Sequence, residues 1–121
     1  MFSFVMINSM EVIGMNALSQ MNKAMGYIER NLMGEIDFGE MAGIACCSEY
    51  HFRRMFSFLS GMPLGEYIRR RKLALATILL KSNDNKIIDV ALQLGYNSPD
   101  AFTKAFQVMH GIAPSNVSSR G

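Results

Sequence analysis

The sequence predicts an all-α chain of seven helices, built as two helix-turn-helix units joined by one long linker helix. Three observations carry this. Apolar residues recur at spacings of three and four along the chain. Helix-start and helix-stop residues punctuate that pattern at regular points. One short-helix, turn, longer-helix unit occurs twice, at a shift of 49 and then 50 residues. At 121 residues and 50% hydrophobic composition, the chain has one domain's worth of material and enough apolar surface for a core.

From Ala17 to about Met33, Leu18, Met21, Met25, Ile28 and Leu32 form one stripe, as in a helix laying one face on a core, and Gly34 is expected to end it. Asp37 and Glu40 have capping-box spacing, and Ile36 with Met41 suits a hydrophobic staple, so a short second helix starts there. Ser48 caps a third helix with Phe52, Met55, Phe56 and Leu59 inward and Glu49, Tyr50, Arg53, Arg54 and Ser57 outward. Gly61 closes it, and Pro63 opens the linker helix of about residues 64–80. After the polar run at 82–85, a fifth helix buries Ile87, Val90, Ala91 and Leu94 and turns at Gly95. Ser98 and Pro99 then begin a sixth, with Phe102, Ala105, Phe106 and Met109 inward, which Gly111 stops. A short seventh helix begins around Pro114.

The repeat aligns Met41 with Val90, Ala42 with Ala91, Cys46 with Gly95, Ser48 with Ser98, Phe52 with Phe102, Phe56 with Phe106 and Gly61 with Gly111. Small Ala42 and Ala91 let paired helices cross closely. The phenylalanines bury the inner face of each second helix and turn its first two turns outward, as a DNA-reading helix requires. A duplex offers successive major-groove faces about 34 Å apart, which two such helices on one chain could enter.

Net charge is only +2, but its distribution is uneven. Residues 1–46 hold two basic and five acidic side chains, whereas residues 47–72 hold six basic ones against Glu49 and Glu66. The electropositive middle of the chain contains the third helix and the linker; on charge alone a solvated helix surface is the commoner reading, and the doubled helix-turn-helix unit with this basic outward face is what makes double-stranded DNA the expected partner.

Other classes fit less well. Cys46 and Cys47 are adjacent, so an ordinary disulfide is not expected, and no four-ligand zinc spacing exists. His51 and His110 lack the carboxylate or nucleophile spacing of a catalytic site, so no enzyme activity and no cofactor are expected. Cys47 reads as small filler. The opening residues lack the pattern of a secretion signal and are too short in apolar run to span a bilayer, so a cytoplasmic protein without membrane contact is expected. The rival reading is a protein-interaction module that binds another regulator without reading DNA, resting on eleven methionines and the apolar amino-terminal stretch.

The run Gly95-Tyr96-Asn97-Ser98-Pro99-Asp100-Ala101-Phe102-Thr103-Lys104-Ala105-Phe106, with Gly111 and Pro114, resembles the second-motif signature of the AraC/XylS family of bacterial transcription regulators. Ser48 to Phe56, with Gly61, Pro63, Tyr67, Ile68, Arg71 and the helix of 73–80, resembles its first motif and linker. The resemblance implies a DNA-binding domain over residues 17–121, after an extension of residues 1–16, with helix-turn-helix units at about 37–60 and 86–110. It implies sequence-specific DNA binding for transcription regulation, with activation the expected direction, on the bacterial nucleoid. Base-edge and phosphate contacts would fall on Tyr50, His51, Arg53 and Arg54 in the first recognition helix. In the second they would fall on Pro99, Asp100, Thr103 and Lys104. Ser48, Ser98 and Arg71 are phosphate-contact candidates. RNA polymerase and a separate or carboxyl-side effector domain are candidate partners, and an amino-terminal sensing domain is not expected. One departure stands out: Cys46 occupies a turn position that is usually glycine, which leaves open whether the backbone avoids the left-handed conformation or stores strain there.

Overall fold

A computed structural model of the chain describes residues 9–82 and 85–118, with side chains from Asn16 onward; Asn83 and Asp84 of the polar run lie outside the described residues. Among the described residues are six α-helices: α1 Ser9–Arg30, α2 Phe38–Ile44, α3 Glu49–Ser60, α4 Leu64–Lys81, α5 Ile87–Gln93 and α6 Pro99–His110. The expected seventh helix is a single 3-10 turn, Pro114–Asn116. No strand occurs among the described residues. These residues form two units, one of 9–30 and 36–61, the other of 31–35, 62–82 and 85–118.

In the first unit, α1 lays Ala24 and Ile28 against a core that includes Met41 of α2 and Phe52 of α3, all with no exposure. Helix α1 is already helical at Ser9, eight residues before the expected Ala17, and Gly14 within it costs only about 1 kcal/mol. It also ends at Arg30, short of Met33. Gly34 is not its stop; its φ is +111°, and its N–H donates to the Gln93 carbonyl at 2.9 Å in the second unit. Leu18 is half exposed, since the buried stretch of α1 starts only at Met21.

The entry to α2 is tied to α1. Asp37 Oδ1 accepts from the Glu40 N–H at 3.1 Å, as the capping spacing predicts. The reciprocal bond is relayed instead of direct: the Asp37 N–H donates to the Tyr27 hydroxyl at 3.1 Å, and that hydroxyl donates to Glu40 Oε2 at 3.3 Å.

In the second unit, Leu73, Ala76 and Leu80 of α4 pack with Val90, Ala91 and Leu94 and with Phe102 and Phe106 of α6. Tyr96 meets Phe102 edge to face at 5.4 Å, and burial pushes its hydroxyl pKa up. His110, the last residue of α6, ties that helix to α4: its ring lies 4.3 Å from that of Phe106, and its Nε2 is 3.0 Å from the Leu73 carbonyl oxygen.

Lys72, one of the six basic residues counted over 47–72, turns inward. Its Nζ donates to the Leu94 carbonyl at 3.0 Å, satisfying the end of α5, and burial lowers its pKa. Two residues expected inward are half exposed, Leu59 at 54% and Met109 at 40%, and Met55 is half-buried. Helices α3 and α6 have 12 residues against seven in α2 and α5, so their last turns run past the helix that covers them.

The corner between paired helices is built the same way twice. The Cys46 N–H donates to the Gly43 carbonyl and the Cys47 N–H to the Ala42 carbonyl, both at 3.1 Å. Gly95 and Tyr96 repeat these bonds to Leu92 and Ala91, both at 3.0 Å. This is the Schellman pattern, in which the first of the two donor residues is itself left-handed. Gly95 has φ +84°, and Cys46 adopts φ +59° despite its Cβ. The departure at Cys46 is therefore resolved as stored strain, of about 1 kcal/mol for an L residue.

Cys46→Gly is expected to raise unfolding free energy by about 0.5 to 1 kcal/mol, after allowing for the greater freedom of glycine in the unfolded chain. Gly95→Ala is expected to lower it by about 1 kcal/mol, from φ alone, since the added Cβ would meet Lys72 Nζ at an ordinary 3.4 Å. Urea midpoints at unchanged m-value check both. A lower midpoint for Cys46→Gly would show that Cys46 is unstrained.

Candidate nucleic-acid interface

Each corner is followed by a serine that starts the next helix. Ser48 Oγ accepts from the His51 N–H at 3.0 Å, and Ser98 Oγ accepts from the Ala101 N–H at 3.1 Å. Pro99 occupies the first turn of α6, where its missing N–H has no intrahelical partner to lose. Gly61 and Gly111 then end α3 and α6 in the left-handed conformation, donating to Ser57 and Gln107 at 2.9 Å in both cases.

With Phe52 and Phe56 buried, the first turns of α3 present Tyr50, His51 and Arg54 to solvent, Tyr50 at 69% exposure. The Arg54 guanidinium lies beside the Tyr50 ring at 5.7 Å, and its Nη1 donates to the hydroxyl at 3.3 Å. Arg53 is held differently. Its guanidinium sits 4.5 Å above the Phe38 ring of α2 and donates to Glu49 Oε2 at 2.9 Å, and the residue is half-buried. The two neighbouring arginines thus differ in role: one braces α2 against α3, and the other lies along the exposed face.

In α6, with Phe102 and Phe106 buried, Pro99, Asp100 and Lys104 are exposed and Thr103 is half-buried. Ser48 is exposed and Ser98 half-buried, so each cap hydroxyl is committed to a helix N–H while its surroundings differ. Arg71 is exposed on α4. Arg69 and Arg70 both pair with Glu66, the latter at 3.0 Å, and those hydrogen bonds, from Arg69 first, lower the Glu66 pKa.

Sequence reasoning missed the structural use of Lys72 and the separation of Arg53 from Arg54. The signal for Lys72 is its spacing of one residue from buried Leu73 on the helix that lies against α5. For Arg53 it is the aromatic Phe38, which no local pattern connects to it.

Burial, then the neighbouring Cys46, raises the Cys47 pKa, which keeps the thiol protonated rather than nucleophilic. Among the described residues, no cluster of three or more His, Cys, Asp or Glu side chains could hold a metal ion, and no helix is long and apolar enough to cross a membrane.

A family model described as a helix-turn-helix domain matches residues 41–120. The chain is 37% identical over 89 residues to the HTH-type transcriptional activator AarP of Providencia stuartii, covering 74% of this chain and 66% of that protein. It is 36% identical over 92 residues to the HTH-type transcriptional regulator YbfP of Bacillus subtilis, covering 76% of this chain but 31% of that protein. With the regulatory protein SoxS of Salmonella typhimurium the identity is 31% over 94 residues, covering 78% and 88%. The chain therefore spans from about a third to most of the length of these relatives. An AraC-type transcriptional regulator from Chromobacterium violaceum shares the fold at a TM-score of 0.76 and 19% identity, covering 85% of this chain and 92% of that one. The DNA-binding domain of AdpA, solved with a target DNA, shares it at a TM-score of 0.70 and 24% identity, covering 79% and 86%. The doubled corner, the serine-capped second helices and these matches together place the chain in the AraC/XylS family, as an AraC-type helix-turn-helix domain.

Proposed function

We propose that this chain binds specific double-stranded DNA sites to regulate transcription, with α3 and α6 as recognition helices entering successive major-groove faces. The observation that carries the reading is the corner built twice, each time ending in a serine-capped helix whose phenylalanines are buried and whose first turns are exposed. Support comes from the relatives: AarP is a transcriptional activator, and AdpA was solved on its target DNA. Activation, contact with RNA polymerase, a separate effector domain and a cytoplasmic, non-enzymatic role belong to the same proposal.

Within it, Arg54 and Tyr50 contact base edges, His51 and Lys104 lie at the backbone or groove edge, and the helix amino termini at Ser48 and Ser98 receive phosphates through their unpaired N–H groups. Thr103, Pro99 and Asp100 shape the second contact, and Arg71 adds positive charge from α4. Arginine offers a fork of donors that matches guanine, whereas lysine is a less directional charge, so α3 discriminates more strongly than α6. Because one chain carries both helices, the protein binds an asymmetric site as a monomer, and a two-to-one complex on a minimal site in sedimentation would contradict this.

A preferred site can be selected from a random duplex pool and compared with a scrambled duplex at one fixed salt concentration. Arg54→Ala is expected to cost about 1 to 3 kcal/mol on the preferred site and less on the scrambled one. Lys104→Ala is expected to weaken both evenly and to reduce the salt slope by about 1. Loss of preference in Lys104→Ala with preference intact in Arg54→Ala would overturn these roles. Arg53→Ala is expected to act on the fold, lowering stability by about 0.5 to 1 kcal/mol through loss of the Phe38 contact. An unchanged urea midpoint would reassign Arg53 to the groove.

A further inference from the structure

The second unit contains an open groove of about 830 Å³ between the first half of α4 and the outer side of α6. Its floor is apolar, with Leu73 from α4 and Ala105, Val108 and Met109 from α6. Val108, in the last turn of α6, is 84% exposed, so this apolar side has no cover within the described chain. The volume lies within the range of small-molecule sites, about 300–1,000 Å³.

The rim is not apolar, and its charge is one-sided. Arg69, Arg70 and Lys104 line it against a single carboxylate, Glu66, leaving a net charge of three minus one, or two positive. Glu66 is held ionised by both arginines. Each guanidinium carries five N–H donors. The contacts to Glu66 use Nη2 of Arg69 and Nε of Arg70, which leaves donors on both for a second acceptor. A flat apolar body would also stack against an arginine plane.

We propose that this groove binds an organic monoanion with an apolar, planar body: the carboxylate seated on the Arg69, Arg70 and Lys104 rim, the body covering Ala105, Val108 and Met109. Charge complementarity selects an anion, and the apolar floor selects against a small hydrophilic one such as inorganic phosphate. Binding takes place on the protein without DNA, so the site is tested separately from the DNA-binding reading.

Calorimetric titration of the full chain with 2-naphthoate, with its neutral analogue 2-naphthalenemethanol and with inorganic phosphate tests this. The expected result is saturable binding of one naphthoate per chain, with the alcohol and phosphate at least tenfold weaker. Val108→Glu places a carboxylate on the groove floor at an exposed position and is expected to weaken naphthoate at least tenfold. Leu92→Glu, exposed on α5 outside the groove, is expected to leave it unchanged. Circular dichroism establishes folding of both variants, and Arg70→Gln, on the groove rim, replaces Val108→Glu should that variant not fold. Equal binding of the alcohol, stronger binding of phosphate, non-saturable binding, or indifference to the groove variant would each overturn the proposal.

Discussion

The left-handed residue at the corner between paired helices is the constraint on which the rest depends. A Schellman turn closes the first helix with two backbone bonds and reverses the chain, and it is available only where one residue adopts positive φ. Cys46 and Gly95 supply it. Two residues later in the first unit and three in the second, a serine accepts the N–H of the residue three positions on, so the second helix starts at a fixed point. Once its start is fixed, helical periodicity decides which side chains face the core. Phe52 and Phe102 go inward one turn from the cap, and the residues on the other face go outward. The identity of the two corners, bond for bond, is why α3 and α6 expose equivalent turns although their side chains differ. At Cys46 the geometry persists without glycine, so packing around the corner outweighs a local cost of about 1 kcal/mol.

Much of this was legible in the sequence because it is local. Ser48, Ser98, Pro99, Gly61 and Gly111 act on backbone groups within four residues, and the spacing of Phe52 and Phe56 declares a buried face directly. What escaped was set by partners distant in sequence. Lys72 reads as one more cation in a run of four, and only the end of α5, 22 residues on, draws it inward. His110 reaches Leu73 across 37 residues. Arg53 and Arg54 are indistinguishable by composition, and Phe38 separates them. The exposure of Leu59 and Met109 has a related cause. Periodicity gives the direction of a side chain, whereas the length of the covering helix decides whether anything lies there.

The positive charge of residues 47–72 is therefore divided among tasks. Lys72 caps a helix end, Arg53 braces two helices, and Arg69 and Arg70 balance Glu66 at the edge of an apolar groove. Arg54 and Lys104 lie on exposed faces of the two capped helices. Net charge alone was a poor guide to an interface here, since part of it serves folding. The placement of individual cations on the faces that the corners turn outward is the better guide, and it concentrates the reading on few side chains.

The central claim is that both capped helices read one duplex. Methylation protection at guanine N7 reports major-groove occupancy directly and needs no substitution in the protein. On a selected site, the account predicts two separate sets of protected guanines, about one helical turn (10 to 10.5 base pairs) apart, bound by a single chain. Protection confined to one set, or none with the chain bound, would contradict it.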